Sequence, residues 1–120
     1  LSFRRGDIMP FLAHMKADMP DHFEDVTICD FGHIGDGGVH FNLVVAKDDP
    51  RLADPDFEAD LREWVFTVAV EQFGGSFSAE HAIGRKNQVF YDRYTPEKLR
   101  ELAAGLKTIT SPGPLGAITF

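Results

Sequence analysis

Cysteine is almost missing from this chain. Cys29 is the single one in 120 residues, so no disulfide can close within the chain, which fits a reducing compartment such as the cytoplasm. Long apolar runs are missing too: no stretch approaches the roughly 18 residues that a spanning helix needs, and no charged-then-apolar leader opens the sequence. Positive charge is scarce. Twelve Lys and Arg against 19 Asp and Glu leave a formal net charge of −7, and such a surface repels a phosphate backbone, which argues against a nucleic-acid partner. Small anionic ligands stay open, because a bound cation or a few bases can override the global field. An initiator methionine is also lacking, and a start at Leu1 is what a piece of a longer protein would show.

What is present suits one globular domain spanning residues 1–120. The chain is 43% hydrophobic and 26% charged, enough for a modest core but not for two. The stretch DIMPFLAHMKADMP predicts a helix starting near Pro10, with Phe11, Leu12 and Met15 on its apolar side and Pro20 ending it. VTICDF, Val26 to Phe31, and HFNLVVA, His40 to Ala46, are apolar and partly β-branched and predict two strands. A glycine-rich turn between them makes a hairpin with a wide loop. A third strand is expected around Gln88 to Tyr91 or Gly75 to Ser78, or from sequence outside this chain.

The clearest helix follows the hairpin. Asp54 is placed to cap it, Pro55 takes the first position, and Asp56 and Glu58 complement the dipole. Phe57, Leu61, Trp64, Val65 and Val68 recur at three-four spacing, so Trp64 reads as core, and Gly74-Gly75 stops the helix. A last helix is expected with Thr95 as N-cap and Pro96 first, carrying Leu99, Leu102, Ala103 and Leu106. The tail SPGPLGAITF is too rich in Pro and Gly to be helical. The fold class is therefore α+β: an antiparallel sheet with helices packed on one face.

The chemistry concentrates in GHIGDGGVHFN, Gly32 to Asn42. His33 leaves the first strand and His40 enters the second, so both flank the mouth of the loop. Cross-strand neighbours have Cβ atoms about 4.5–5.5 Å apart, close enough for two imidazoles to share one ion. The glycines at 32, 35, 37 and 38 would let the backbone wrap tightly over a ligand. Alternation puts Asn42 on the face of His40, with Phe41 and Leu43 turned toward a core. An asparagine is unusual in a strand, and a buried amide demands partners. Farther on, SAEHAIG offers Glu80 and His81. Adjacent side chains diverge, so the natural reading is a division of labour in which Glu80 would complete a His-His-Glu shell with His33 and His40 and His81 would face the substrate. On spacing alone, two histidines at a hairpin mouth are more often solvated surface groups. Two imidazoles and a carboxylate suit zinc, manganese or iron.

Blander roles account for other residues. Asp36 reads as a turn former bonding its own backbone, Cys29 as a small buried hydrophobe, His14 and His22 as surface groups, and Arg85-Lys86 as a solvated pair.

GHIGDGGVHFN followed by GGSFSAEHAIGRK resembles the C-terminal substrate domain of FAD-linked oxidases, the flavoproteins that include D-lactate dehydrogenase, the glycolate oxidase flavin subunit and D-2-hydroxyglutarate dehydrogenase. The family pattern runs approximately GH-x-GDGN-x-H-x-N, then GG-x-x-S-x-EHG-x-G-x-x-K. The resemblance implies a ferredoxin-like substrate domain, incomplete here. It implies a divalent metal, zinc or manganese, on His33, His40 and Glu80, with His81 as the base that takes the substrate hydroxyl proton. Asn42 falls at a substrate-binding asparagine, and Arg5, in RRGDIMP, at a lysine that helps hold the substrate carboxylate. The implied reaction oxidises a small 2-hydroxy acid to the 2-oxo acid. The FAD is bound mainly by a flavin-binding domain that is the partner of this one in the same protein. The chain departs from the pattern at Gly38, where the family usually has asparagine, at Ala82, where it usually has glycine, and in the tail, which lacks the family's NPGK ending. Those departures keep a rival reading in play, a non-catalytic metal-binding module. A zinc hydrolase is disfavoured, since no HExxH helix is present to supply its base.

Overall fold

The helix predicted at the N-terminus forms because its apolar residues repeat at helical spacing. In the computed structural model, which describes residues 1–80, 82–111, 113 and 119, α1 spans Ile8–His22 and buries Ile8, Phe11, Leu12, Met15 and Met19. Each such side chain contributes about 1.5–3 kcal/mol when fully buried. Pro10 sits in the first turn, where its missing N–H is unpaired anyway. Pro20 does not end the helix, contrary to the sequence expectation. Placed in the last turn it removes a single backbone bond, and Met19, only 2% exposed, holds the preceding residue in helical geometry.

The chain divides into two compact units, Leu1–Ala79 and Glu80–Phe120. In the first, β1 (Thr27–Phe31) and β2 (His40–Val44) pair antiparallel, from Thr27 opposite Val44 to Phe31 opposite His40. The inward face presents Ile28, Phe41 and Leu43 to the core. Phe11 of α1 is its centre, with Phe3, Phe41 and Phe73 at centroid distances of 4.4, 5.4 and 5.6 Å. Asp30 also faces inward and pairs with Lys16 of α1 at 2.6 Å. The outward face carries Thr27, Cys29, Phe31, Asn42 and Val44, all exposed. Cys29 is therefore a surface thiol and not a buried hydrophobe, because strand alternation assigns it to the solvent side.

Helix α2 (Pro55–Thr67) begins as its cap residues dictate: the Asp54 carboxylate accepts from the Asp56 N–H at 3.0 Å. Leu61, Val65, Val68 and Ala69 are buried, and Trp64 is half-buried against the core. The last turn widens into a π-helical segment, Val68–Gln72, before Gly74 (φ +59°) turns the chain away. Both helices pack on the inward face of the hairpin, which is the expected α+β arrangement. Ahead of α2, the Arg51 guanidinium bonds the Asp49 carboxylate, the Glu24 carbonyl at 2.8 Å and the face of Phe57 at 4.8 Å. That hydrogen-bonded pairing lowers the Asp49 pKa and raises that of Arg51.

The third strand is not where either expectation put it. Gln88 to Tyr91 lie in a helix, α3 (Gln88–Tyr94). Gly75 to Ser78 contribute one isolated bridge, Ser2 to Ser76, while Ser2 bridges Gly38 as well. In the second unit Phe90 and Tyr91 are buried, and α3 is followed by α4 (Glu97–Thr110). Thr95 closes α3 and does not cap α4. The extended Pro96 takes the cap position, its carbonyl accepting from Leu99 and Arg100 at 2.9 and 3.1 Å. Most of the tail lies outside the described residues. Thr119 is tied to the Gln88 amide by bonds of 2.7 and 3.0 Å.

Candidate metal centre

The loop between the strands folds onto one carbonyl. His33 O accepts from Asp36 N at 3.0 Å and from Gly38 N at 3.2 Å. Asp36 Oδ1 accepts from Gly38 N at 3.0 Å, the turn-forming role expected of it. The glycines answer first to the protein's own backbone. A Cβ on Gly37, whose φ is +94°, would meet Phe3 O at 2.3 Å, and one on Gly32 would meet Gly38 O at 2.6 Å. The close approach read from the sequence as wrapping over a ligand is thus, at these two positions, an approach of the N-terminal segment and the far side of the loop. Leu1 and Phe3 complete it: Val39 N donates to Leu1 O at 2.9 Å, and Phe3 N donates to Gly37 O at 3.0 Å. The sequence assigns Leu1 to Phe3 no part in the site, since partners as many as 38 positions away leave no local signal.

This frame sets the two histidines side by side. Their ring centroids are 5.9 Å apart at 52°, with His40 half-buried and His33 exposed. Glu80 directly follows the segment that Ser76 pins to Ser2 through paired backbone bonds of 2.8 and 3.1 Å and that buries Phe77. One ring nitrogen of His33 and one of His40 lie within 4.8 Å of each other. An ion with ligand bonds of about 2.0–2.2 Å holds its donors roughly 3–4 Å apart. Modest side-chain rotation closes that difference, so this donor set fits a borderline divalent cation.

The other predicted residues stand as follows. Asn42 is on the outward face with His40, opposite Cys29, but it is exposed, so the expectation of a buried amide fails: only the alternate residues 41 and 43 of β2 turn inward. It lines a groove of about 880 Å³ along β2 and α2. Arg5 is exposed in a short 3-10 turn, Arg5–Asp7, two residues after Phe3. His81 lies outside the described residues. Ala82 adopts φ +54°, a left-handed conformation in which glycine carries no steric cost. His14 and His22 are in the first unit, beside Asp18 and tilted against the Trp64 ring respectively.

Residues 2–113 match the family described as FAD linked oxidases, C-terminal domain, and the chain belongs to that family. It is 34% identical over 116 residues to a D-2-hydroxyglutarate dehydrogenase of Stutzerimonas stutzeri, covering 93% of this chain and 24% of the relative. A mitochondrial D-2-hydroxyglutarate dehydrogenase of Danio rerio is 32% identical over 100 residues, 79% of this chain and 17% of its own. A D-2-hydroxyglutarate–pyruvate transhydrogenase of Saccharomyces cerevisiae is 34% identical over 70 residues, 57% of this chain and 13% of its own. The chain thus spans about a quarter or less of the length of these relatives.

Proposed function

We propose that this chain is the substrate-side domain of an FAD-dependent enzyme that oxidises a small 2-hydroxy acid to the 2-oxo acid. The pairing of His33 and His40 at a hairpin mouth, with Glu80 as the third donor expected from the sequence, carries the reading, and the family match supports it. In this reading those three side chains hold a divalent cation, zinc or manganese, with positions left open for substrate oxygens. A cation held there supplies Lewis-acid polarisation of the bound oxygens, and FAD, held mainly by a flavin-binding domain elsewhere in the same protein, supplies the two-electron acceptor.

The chain's own residues do the rest. His81 takes the hydroxyl proton, a task suited to an imidazole that titrates near neutral pH. Asn42 offers amide hydrogen bonds to the substrate from the exposed face that it shares with His40. Arg5 offers a fixed positive charge to the carboxylate. Among the described residues no helix is long and apolar enough to cross a membrane. We place the protein in the cytoplasm on the strength of its single unpaired cysteine.

The test is His81→Ala in the protein that joins this domain to its flavin domain. Substrate-driven flavin reduction should fall by at least the 10²-fold typical of losing a general base, with metal content retained. Unchanged reduction would defeat the assignment of the base.

A further inference from the structure

Phe31 is a large aromatic on the wrong side of its strand for packing. It is 60% exposed, while the inward positions Ile28, Phe41 and Leu43 do the work of the core. Its ring instead lies flat on His40, with centroids 4.8 Å apart and planes inclined by only 15°. The two residues are directly opposite one another in the last pair of the ladder, before the loop begins.

We propose that Phe31 is a positioning residue for the metal centre, acting through His40. An imidazole rotates broadly about χ2, and only some of those orientations aim a given nitrogen at a shared point. A ring stacked on one face cannot turn about χ2 without losing the stack. The observed stack is the orientation in which a His40 nitrogen lies within 4.8 Å of one on His33. Phe31 therefore removes rotational freedom before an ion arrives and lowers the ordering cost of binding it. The inference rests on the metal reading proposed above and adds to it a residue that touches no ion.

The experiment is a zinc titration of the full chain against a competing chelator dye, comparing wild type with Phe31→Ala, Phe31→Leu and Phe31→Tyr. Leucine covers similar area but cannot stack, and tyrosine can. Freeing one side chain's rotamers weakens affinity about 2- to 10-fold. Ala and Leu should both show that loss and Tyr should stay near wild type, with metal-free melting temperatures unchanged because the position is exposed. Zinc affinity in Phe31→Leu equal to wild type, or a loss in Phe31→Tyr equal to that in Ala, overturns the inference while leaving the metal reading intact. Wild type that takes up no zinc overturns both. A ring-current shift of the His40 protons by proton NMR, present in metal-free wild type and gone in Phe31→Leu, confirms the stack itself. Its absence from wild type also overturns the proposal.

Discussion

Gly37 is the position at which the loop has least freedom to change, and Gly37→Ala puts that to a quantitative test. Two costs combine. The backbone there has φ +94°, and an added Cβ would sit 2.3 Å from Phe3 O, well inside any contact distance. A left-handed conformation costs an L-residue about 1–2 kcal/mol, and φ this far positive is worse than the left-handed minimum. The clash is with backbone, so it cannot be relieved by a rotamer. Relief requires the Leu1–Phe3 segment to lift, breaking the Phe3 N to Gly37 O bond of 3.0 Å, worth about 0.5–1.5 kcal/mol net. The expected destabilisation is about 2–4 kcal/mol, read as a lower urea midpoint at unchanged slope. Gly35→Ala is the control. Nothing lies within 4 Å of a Cβ there, and its change should stay within about 0.5 kcal/mol. If Gly37→Ala is as stable as Gly35→Ala, the account of the loop as a frame clamped by the N-terminal segment is wrong.

Two further predictions follow from the backbone and the charges. Ala82→Gly should stabilise the chain by about 1 kcal/mol, since relief of a left-handed alanine (φ +54°) outweighs the added freedom of glycine in the unfolded chain; a loss in denaturant midpoint would contradict this. Asp49 has its pKa lowered below 3.8 by its hydrogen bonds from Arg51, so its contribution is present above the ordinary aspartate value and is lost as pH falls through the lowered one. Asp49→Asn should accordingly be less stable than wild type at neutral pH, with the gap narrowing as pH falls below the ordinary aspartate value; a gap that does not narrow in acid would refute the linkage.

Much of the first unit was legible because its signals are local. Asp54 and Pro55 mark the start of α2, and the period-two pattern of residues 40–44 marks β2 and puts Phe41 and Leu43 inside. His33 and His40 could be brought together from a hairpin argument alone. What was illegible depends on distant partners or on a contest between neighbours. Pro20 stays helical because Met19 is buried, and the helical Gln88–Tyr91 stretch buries Phe90 and Tyr91, a reward that its short apolar pattern does not distinguish from a strand's. Cys29 was misassigned because its residue type was weighed above its place in the alternation. The bridges from Ser2 to Gly38 and Ser76, which shape the loop and lead to Glu80, span separations that no periodicity encodes.

One measurement bears most directly on the centre itself: equilibrium dialysis of the chain against zinc or manganese, followed by elemental analysis, for wild type and for His33→Ala, His40→Ala and Glu80→Gln. Wild type should retain one ion per chain, and each variant should lose most of it while keeping its denaturant midpoint. Retention of the same metal by all three variants would contradict the account.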